Sequence, residues 1–470
     1  MKKAKKELMT LIIMTIAAAI GYMAQTAITT GMAAIMDELQ VNAGTVQWLI
    51  TAFSLTTGVL IPLTAYLAHK FSTKKLLNAS MIVFTLGSLL GFIAPNFSLL
   101  IIARVFQAAG CGILFPVLQM SIFKVLPKKK WNVAMGIIGM AIAVAPTIGP
   151  AIGGIMVDVW GWRSIFLGLS ILGVILFLCS LFFSTKLLET KRCPLDIPSF
   201  LLTMLLCVGI VIGLGNIGSY GLVSIFVWAP ILIGVLSTFI FVKRQKTLKE
   251  PFLELSVFKN KNFSVGAISL AIIQFTVVGI TVILPIFIQK ACGFSATVSG
   301  LIILPSSLMM AVFSILSGVL AGKFGTRSLA VLGNILMVIG SFSMLFMNLN
   351  TSILYITVTQ IVRCMGIGLA TTPINTWLLA SVKEKIGDGT AISNTLRQIA
   401  GAMGSAVLAM IMTYIAGGAV TNSAESVAGF QVSSALTVIL AIVSTFLSII
   451  YIKQDIKIEN SLLEEPECDC

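Results

Sequence analysis

The chain has 470 residues, of which 57% are hydrophobic and 10% charged, with a mean hydropathy of +1.04. Those values exclude a water-soluble globule, whose charged share is nearer about 25%. The net charge of +14 reads as attraction to anionic lipid and as a consequence of topology, so no nucleic-acid partner is needed to explain it.

Apolar stretches long enough to cross a hydrocarbon core of about 30 Å run from Leu8 to Met36, Val46 to Ala68, Leu76 to Ala94, Leu99 to Phe123, Val133 to Val157, Ser164 to Phe183 and Ile197 to Leu214. They continue from Leu222 to Val242, Ser264 to Ile288, Thr297 to Ala321, Ser328 to Met347, Ile353 to Leu379, Leu396 to Ala416 and Phe430 to Ile452, which predicts fourteen helices. The first stretch is too long for a cleaved signal peptide and lacks a small-x-small site, so it reads as a retained helix. Lysines and arginines alternate between successive connections. They cluster at Lys2, Lys3, Lys5 and Lys6, at Lys70, Lys74 and Lys75, at Lys124 and Lys128 to Lys130, and on every second connection thereafter, with only Arg163 and Lys290 outside the pattern. By the positive-inside tendency both termini are expected in the cytoplasm of a multi-pass plasma-membrane protein. The eight cysteines are scattered, and Cys468 and Cys470 in the acidic tail are assigned no role.

Leu67-Ala-His-Lys-Phe-Ser-Thr-Lys74 and Leu320-Ala-Gly-Lys-Phe-Gly-Thr-Arg327 match in spacing and in most residue types. A weaker echo joins Arg104 to Pro116 with Arg363 to Pro373. This is an internal repeat. It divides the chain into a six-helix bundle over 1–185, an inserted helix pair with linkers over 186–263, a second six-helix bundle over 264–452, and a tail over 453–470.

The fifth stretch contains Ala145-Pro-Thr-Ile-Gly-Pro-Ala-Ile-Gly-Gly154. On one helix, Ala141, Ala145, Gly149 and Gly153 form a ridge without bulk, which lets a neighbouring backbone approach closely. Pro146 and Pro150 each remove an amide, so the carbonyls four residues earlier, Ile142 and Pro146, need other partners. Packing alone is one reading of such a ridge. The whole cluster, Pro146, Gly149, Pro150, Gly153 and Gly154, resembles the antiporter motif of drug:proton antiporters in the major facilitator superfamily. The resemblance covers nearly the whole chain and implies an all-α major facilitator fold in its fourteen-helix branch. It also implies that the ridge closes the cavity between the two halves.

Arg104 lies in Ile101-Ile-Ala-Arg-Val-Phe-Gln-Ala-Ala-Gly110. An arginine there costs roughly 2.5 kcal/mol or more unless it meets a partner or water. Gln107 shares its helix face. The run resembles the family's fourth-helix motif, whose arginine is tied to proton transfer; the alternative is an arginine that ties helices through backbone carbonyls. Arg363 repeats the question in the second half. Arg397 lies close enough to a helix end to snorkel.

None of the seventeen acidic residues falls at the centre of a predicted helix. Where many fourteen-helix relatives carry a first-helix aspartate, this chain has Gln25, which cannot carry a proton. His69 stands where the family's loop motif has an aspartate; histidine titrates near neutrality, but a loop histidine among lysines is commonly just solvated. Asp158, Trp162 and Arg163 match family residues, and Asp158 with Arg163 is expected as an outer latch. The coupling candidates are therefore Arg104, Gln107, Asp158, Arg163, Asp37 and His69. Lys70, Lys74, Lys323 and Arg327 are candidates for gating loops.

Polar or amphipathic groups in apolar helices, Gln25, Thr29, Gln119, Gln274, Arg363, Asn375 and Trp377, are candidates for a substrate cavity, each with helix packing as the alternative. No phosphate-binding loop is present, because Gly318-Val-Leu-Ala-Gly-Lys323 has the wrong spacing, so ATP is not the direct energy source. One histidine and no buried carboxylate argue against an intramembrane enzyme. The sequence therefore predicts a secondary efflux transporter for drugs or amphipathic small molecules, coupled to protons by alternating access. It is expected to need no cofactor or metal and to work as a monomer in the lipid bilayer. The alternatives are an uncoupled facilitator or exporter of an anionic metabolite, and a sensor or scaffold that kept the fold without transport.

Overall fold

The computed structural model describes residues 2–41, 46, 48–188, 196–215, 224–248, 251–294, 296–382, 385–417 and 423–452. The expected tail, 453–470, with Cys468 and Cys470, lies outside the described residues. So do Lys191, Arg192 and Lys383 of the charged connections.

Among the described residues every regular element is a helix. Apolar segments in lipid can satisfy their amides only within themselves, which selects helix over open strand. In chain order they are α1 (Lys2–Ala27), α2 (Met32–Leu39), α3 (Trp48–Lys70), α4 (Thr73–Phe92), α5 (Phe97–Gly112), α6 (Leu114–Val125), α7 (Trp131–Trp160) and α8 (Arg163–Phe183). There follow α9 (Ile197–Gly215), α10 (Ile225–Thr247), α11 (Lys261–Ile286), α12 (Ala296–Ser343), α13 (Ile353–Ala380), α14 (Ile386–Ile415) and α15 (Ala424–Tyr451). Ser72, Asn96, Ser224, Asn260, Ser352 and Ser423 cap the helices that follow them, each accepting from an amide of the first turn.

Twelve helices among the described residues are long and apolar enough to cross a membrane, against the fourteen expected. The difference has two sources. The predicted spans 297–321 and 328–347 are one 48-residue element, α12. That element is two helices that meet at Gly325, whose φ 73° and ψ 159° are not helical and suit glycine, so the two expected spans lie on either side of it. The predicted seventh span is the shorter apolar helix Ile197–Gly213. The first predicted span is interrupted too, with α1 and α2 separated by a 3-10 turn at Ile28–Gly31. The thirteenth begins ten residues earlier than its hydropathy indicates, at Ile386.

By contact, the chain groups into two compact units, Met1–Val125 with Ala141–Val257 and Glu384–Ile399, and Leu126–Met140 with Phe258–Lys383 and Ala400–Cys470. This division differs from the one by sequence repeat, since α7 and α14 each contribute to both units. The first unit has a core around Ile28, Ile35, Leu49, Leu100, Trp162 and Phe166. The second packs Ile280, Leu284, Phe287, Met344, Leu408 and Phe430 together, with the Phe287 and Phe430 rings stacked at 4.2 Å. Large apolar side chains such as Ile225, Leu232 and Phe239 on α10 stay exposed. That is the expected face toward lipid in a chain that spans a membrane.

Candidate functional site

The small ridge lies directly on the backbone of α1. A Cβ added at Gly149 would sit 2.7 Å from the Met23 carbonyl oxygen and 2.7 Å from Thr26 Oγ1, and one at Gly153 would sit 2.7 Å from the Ala27 carbonyl oxygen. Gly154 has far more room, its nearest neighbour being Thr30 Cγ2 at 3.9 Å. Pro150 cannot donate to the Pro146 carbonyl, and Thr26 Oγ1 supplies the missing bond at 2.9 Å. The expectation that this carbonyl needs another partner is therefore met across α1 and α7.

Further along α7, in the second unit, a Cβ at Gly136 would lie 2.7 Å from the Ser314 carbonyl oxygen. Ser314 Oγ is 2.9 Å from Thr372 Oγ1. Gly136 lies outside the four-residue ridge and gives a second close approach, to α12 rather than α1.

Beside the ridge, Met23, Gly149, Gly153, Met156, Gly168 and Leu172 border a cavity of about 240 Å³ between α1, α7 and α8. Its lining is apolar. None of the polar residues expected to line a substrate cavity borders it.

Arg104 is fully buried. Its Nε donates to the Leu49 carbonyl at 3.0 Å, Nη1 to the Ala24 carbonyl at 3.0 Å and to Gln107 Oε1 at 3.0 Å, and Nη2 to the Gln25 carbonyl at 3.3 Å. The guanidinium carbon also lies 4.4 Å from the Phe53 ring centroid. Gln107 Nε2 passes the network on to Ser88 Oγ at 2.9 Å. A side chain with five donors in a fixed fork here cross-links α1, α3 and α5, with α4 reached through Gln107.

The second unit contains a counterpart. Arg363, 2% exposed, donates from Nη2 to the Thr276 carbonyl at 2.5 Å and from Nη1 to Gln360 Oε1 at 3.4 Å. Its Nε is buried with no partner among the described residues. Arg397 stands three turns inside α14 rather than at its end, half-buried, and interacts electrostatically with Tyr22 of α1. Hydropathy places it near an end only because the polar first turns of α14 do not read as helix.

The repeated loops hold equivalent contacts. Lys74 Nζ donates to the Leu181 carbonyl at 2.8 Å, and Arg327 Nη2 to the Ile449 carbonyl at 2.8 Å. Each acceptor lies two residues before the end of its helix, α8 or α15, where unpaired carbonyls favour a cation. Lys70 instead donates to Tyr66 Oη at 2.7 Å, and Lys323 is exposed.

At the opposite end of α8 the expected pairing is corrected. Arg163 bonds Glu38, through Nη1, rather than Asp158, and its Nη2 donates to the Ala94 carbonyl at 3.0 Å. Trp162 Nε1 donates to the other Glu38 oxygen at 2.7 Å, with the Arg163 guanidinium 4.2 Å from the Trp162 ring centroid. Hydrogen bonds from Arg163 and Trp162 hold the Glu38 carboxyl below the usual carboxylate range. Asp158 and Asp37 are exposed, and Gly161, with φ 78°, stands between Asp158 and Arg163.

The remaining candidates are dispersed within their units. Gln25 Nε2 donates to Ser54 Oγ at 3.1 Å, and Thr29, exposed, donates to the Thr26 carbonyl at 2.7 Å. Gln119 is buried; its Oε1 accepts from Asn394 at 2.8 Å, while its Nε2 has no partner among the described residues. In the second unit Asn375 is buried, and Gln274 and Trp377 are half-buried against Gly401 and Gly266 respectively. His69 is exposed in the last turn of α3.

Sequence reasoning did not identify Thr26, Glu38, or a clamp on the inserted pair. In that clamp Arg244 Nη2 meets Asp196 Oδ1 at 2.8 Å and Gln245 Nε2 meets Ser199 Oγ at 2.6 Å. Arg244 holds the Asp196 carboxyl below its usual range. Asp196 and Arg244 stand 48 residues apart, so no local pattern signals their pairing.

A family profile described as "Major Facilitator Superfamily" matches residues 14–405. The chain is 34% identical over 427 residues to the "Uncharacterized MFS-type transporter YcnB" of Bacillus subtilis, with 90% of each chain covered. It is 32% identical over 396 residues to the "Lincomycin resistance protein LmrB" of Listeria innocua, with 84% of each covered. Among solved structures, the human organic anion transporter MFSD10 matches with a TM-score of 0.67 at 13% identity, over 94% of this chain and 99% of that one; this likeness bears on the fold alone.

Proposed function

Since the chain belongs to the Major Facilitator Superfamily and has the major facilitator fold, we propose that it is a proton-coupled exporter of drugs or other amphipathic small molecules. It is a multi-pass membrane transporter rather than an enzyme. The observation that carries the export reading is the contact of Gly149 and Gly153 with the backbone of α1, where no side chain can be added without displacing a carbonyl. A seam this close suits two helices that must move as one body during alternating access. The similarity to a protein named for lincomycin resistance supports a drug or drug-like substrate.

The proposal places fourteen crossings in the plasma membrane. Dividing α12 at Gly325 and admitting Ile197–Gly213 as a crossing raise the twelve long apolar helices to that number. The lysine and arginine alternation supports cytoplasmic termini. The proposed partners are a small-molecule substrate, protons and lipid, with the chain acting as a monomer and without a cofactor.

A second reading is an uncoupled facilitator. It is favoured by Gln25, whose amide is committed to Ser54 and which cannot exchange a proton. Expression in drug-sensitive bacteria tests the export reading. Exporting cells should survive amphipathic drugs at raised concentration and accumulate less of a fluorescent amphiphile, and collapse of the pH gradient should restore accumulation. Cells indistinguishable from the vector control would overturn it.

A further inference from the structure

Arg104, Arg363 and Arg397 all stand within membrane helices, but only the first two are sealed off. Arg104 is 0% exposed and Arg363 2%. Arg397, three turns inside α14, is half-buried. A charged group at that depth does not look out at lipid, and its surroundings in the first unit show what it meets instead.

The first turns of α14 present polar side chains to three helices. Asn394 donates to Gln119 of α6 at 2.8 Å. Gln398 Cγ lies 3.5 Å from where a Cβ at Gly58 of α3 would sit, and Arg397 interacts electrostatically with Tyr22 of α1. The Tyr22 ring meets Phe115 of α6 edge-on, with centroids 6.1 Å apart. Gln25, one turn further along α1, gives its amide to Ser54 of α3 at 3.1 Å. Tyr22, Gln25, Ser54, Phe115, Arg397 and Gln398 are all half-buried. Partial exposure on groups that face one another rather than lipid describes a recess between α1, α3, α6 and α14. Beside it, Gln119 Nε2, Thr390 Oγ1 and Ser393 Oγ are buried with no partner among the described residues. Thr390 and Ser393 lie one turn before Asn394 and Arg397 respectively.

The charge of the recess is of one sign. The acidic residues of α1, α3, α6 and α14 are Glu7 and Asp388, each within two turns of its helix start. Asp388 Oδ1 already accepts from the Glu254 amide at 3.2 Å. Among the described residues the titratable group that acts on Arg397 is the Tyr22 phenol, not a carboxylate.

We propose that this recess is a substrate subsite selective for amphipathic organic anions. Arg397 receives a carboxylate, sulfonate or phosphate group, and the Tyr22 and Phe115 rings take the apolar body. A guanidinium fork matches such groups in two-point contact, and the Gln119 amide with the Thr390 and Ser393 hydroxyls supplies further hydrogen bonds. A lipophilic cation meets an unbalanced positive charge there. As a transport site the recess rests on the exporter reading and narrows its substrate class; as a binding site it does not.

Dansyl-labelled probes with one alkyl body, ending in a carboxylic acid, its methyl ester or a primary amine, read the preference. They are titrated by fluorescence against the purified full-length protein in detergent, with empty micelles as the blank. The acid should bind about tenfold tighter than the ester, as a desolvated charge pair allows, and the amine should bind most weakly. Arg397→Gln should lower the acid to the affinity of the ester and leave the ester unchanged, while Arg397→Lys restores part of the difference. An arginine that only supports the fold would instead lower all the probes together. Gln25→Glu adds a carboxylate at a half-buried position, so it should weaken the acid and strengthen the amine, and it tests the site even if Arg397→Gln does not fold. Equal binding of acid and ester by wild type, tightest binding of the amine, or an acid preference that survives Arg397→Gln would overturn the subsite. In liposomes, selective acid binding without export of any probe refutes the exporter reading and leaves the subsite standing. Export of the ester or amine by a protein that does not prefer the acid refutes the subsite and leaves the exporter reading.

Discussion

Thr26 donates its hydroxyl to the carbonyl of Pro146 across 2.9 Å, so a residue of α1 repairs the hydrogen bond that Pro150 removes from α7. Thr26→Val, of nearly the same shape, leaves that carbonyl unpaired. The expected loss is about 1 to 2 kcal/mol, read as a lower melting temperature in detergent. Thr26→Ser should recover most of it, which a purely steric role for the threonine would not give.

Three glycines on one helix should respond differently to the same methyl group. Gly149→Ala and Gly153→Ala push a Cβ to 2.7 Å from α1 carbonyl oxygens, whereas Gly154→Ala meets nothing nearer than 3.9 Å. Overpacking costs typically about 1 to 3 kcal/mol, so the first two should lose most export while Gly154→Ala stays near wild type. Gly149→Leu should abolish export outright. Equal activity across the series, measured as efflux at matched expression, would reduce the ridge to ordinary packing.

Arg104→Ala removes the donor to three backbone carbonyls from two helices. Export should be abolished while insertion persists, and stability should fall by on the order of 3 kcal/mol. Arg104→Lys keeps the charge but not the fork, so it should regain part of the stability and little of the transport. Efflux and thermal unfolding measured on the same preparations separate the two effects.

The Glu38 tie should be indifferent to pH near neutrality. Its carboxyl is held below the usual range by Arg163 and Trp162, so the stabilisation is fully present above the ordinary glutamate value of about 4.3. It is lost only as pH falls through the lower folded value. Melting temperatures of wild type and Glu38→Gln should differ at pH 7 and converge below about pH 4. Convergence already at pH 6 would mark Glu38 as a neutral-range proton group.

Local pattern exposed much of this arrangement. The ridge and the orphaned Pro146 carbonyl follow from spacing alone, and the repeat of Lys74 in Arg327 is matched by bonds to equivalent carbonyls, Leu181 and Ile449. Arg104 was legible as a group in need of partners, but not which ones, because backbone acceptors leave no trace in side-chain identity. Glu38 was hidden by a separation of 125 residues from Arg163. Asp388 was hidden by Ile386-Gly-Asp-Gly-Thr390, a run too polar and glycine-rich to read as the start of a membrane helix, although tertiary contacts make it one. Hydropathy windows did separate the two helices within α12, which part at Gly325.

The central claim is proton-driven export, and simultaneous recording of lumenal pH and a fluorescent amphiphile in liposomes containing the purified protein, with voltage clamped to zero, tests it most directly. The account predicts that an imposed pH gradient moves the amphiphile against its own gradient, with proton flux in the opposite direction that stops when substrate is absent. Movement only down the substrate gradient, at a rate unchanged by the pH gradient and without proton flux, would contradict it and identify the chain as a facilitator.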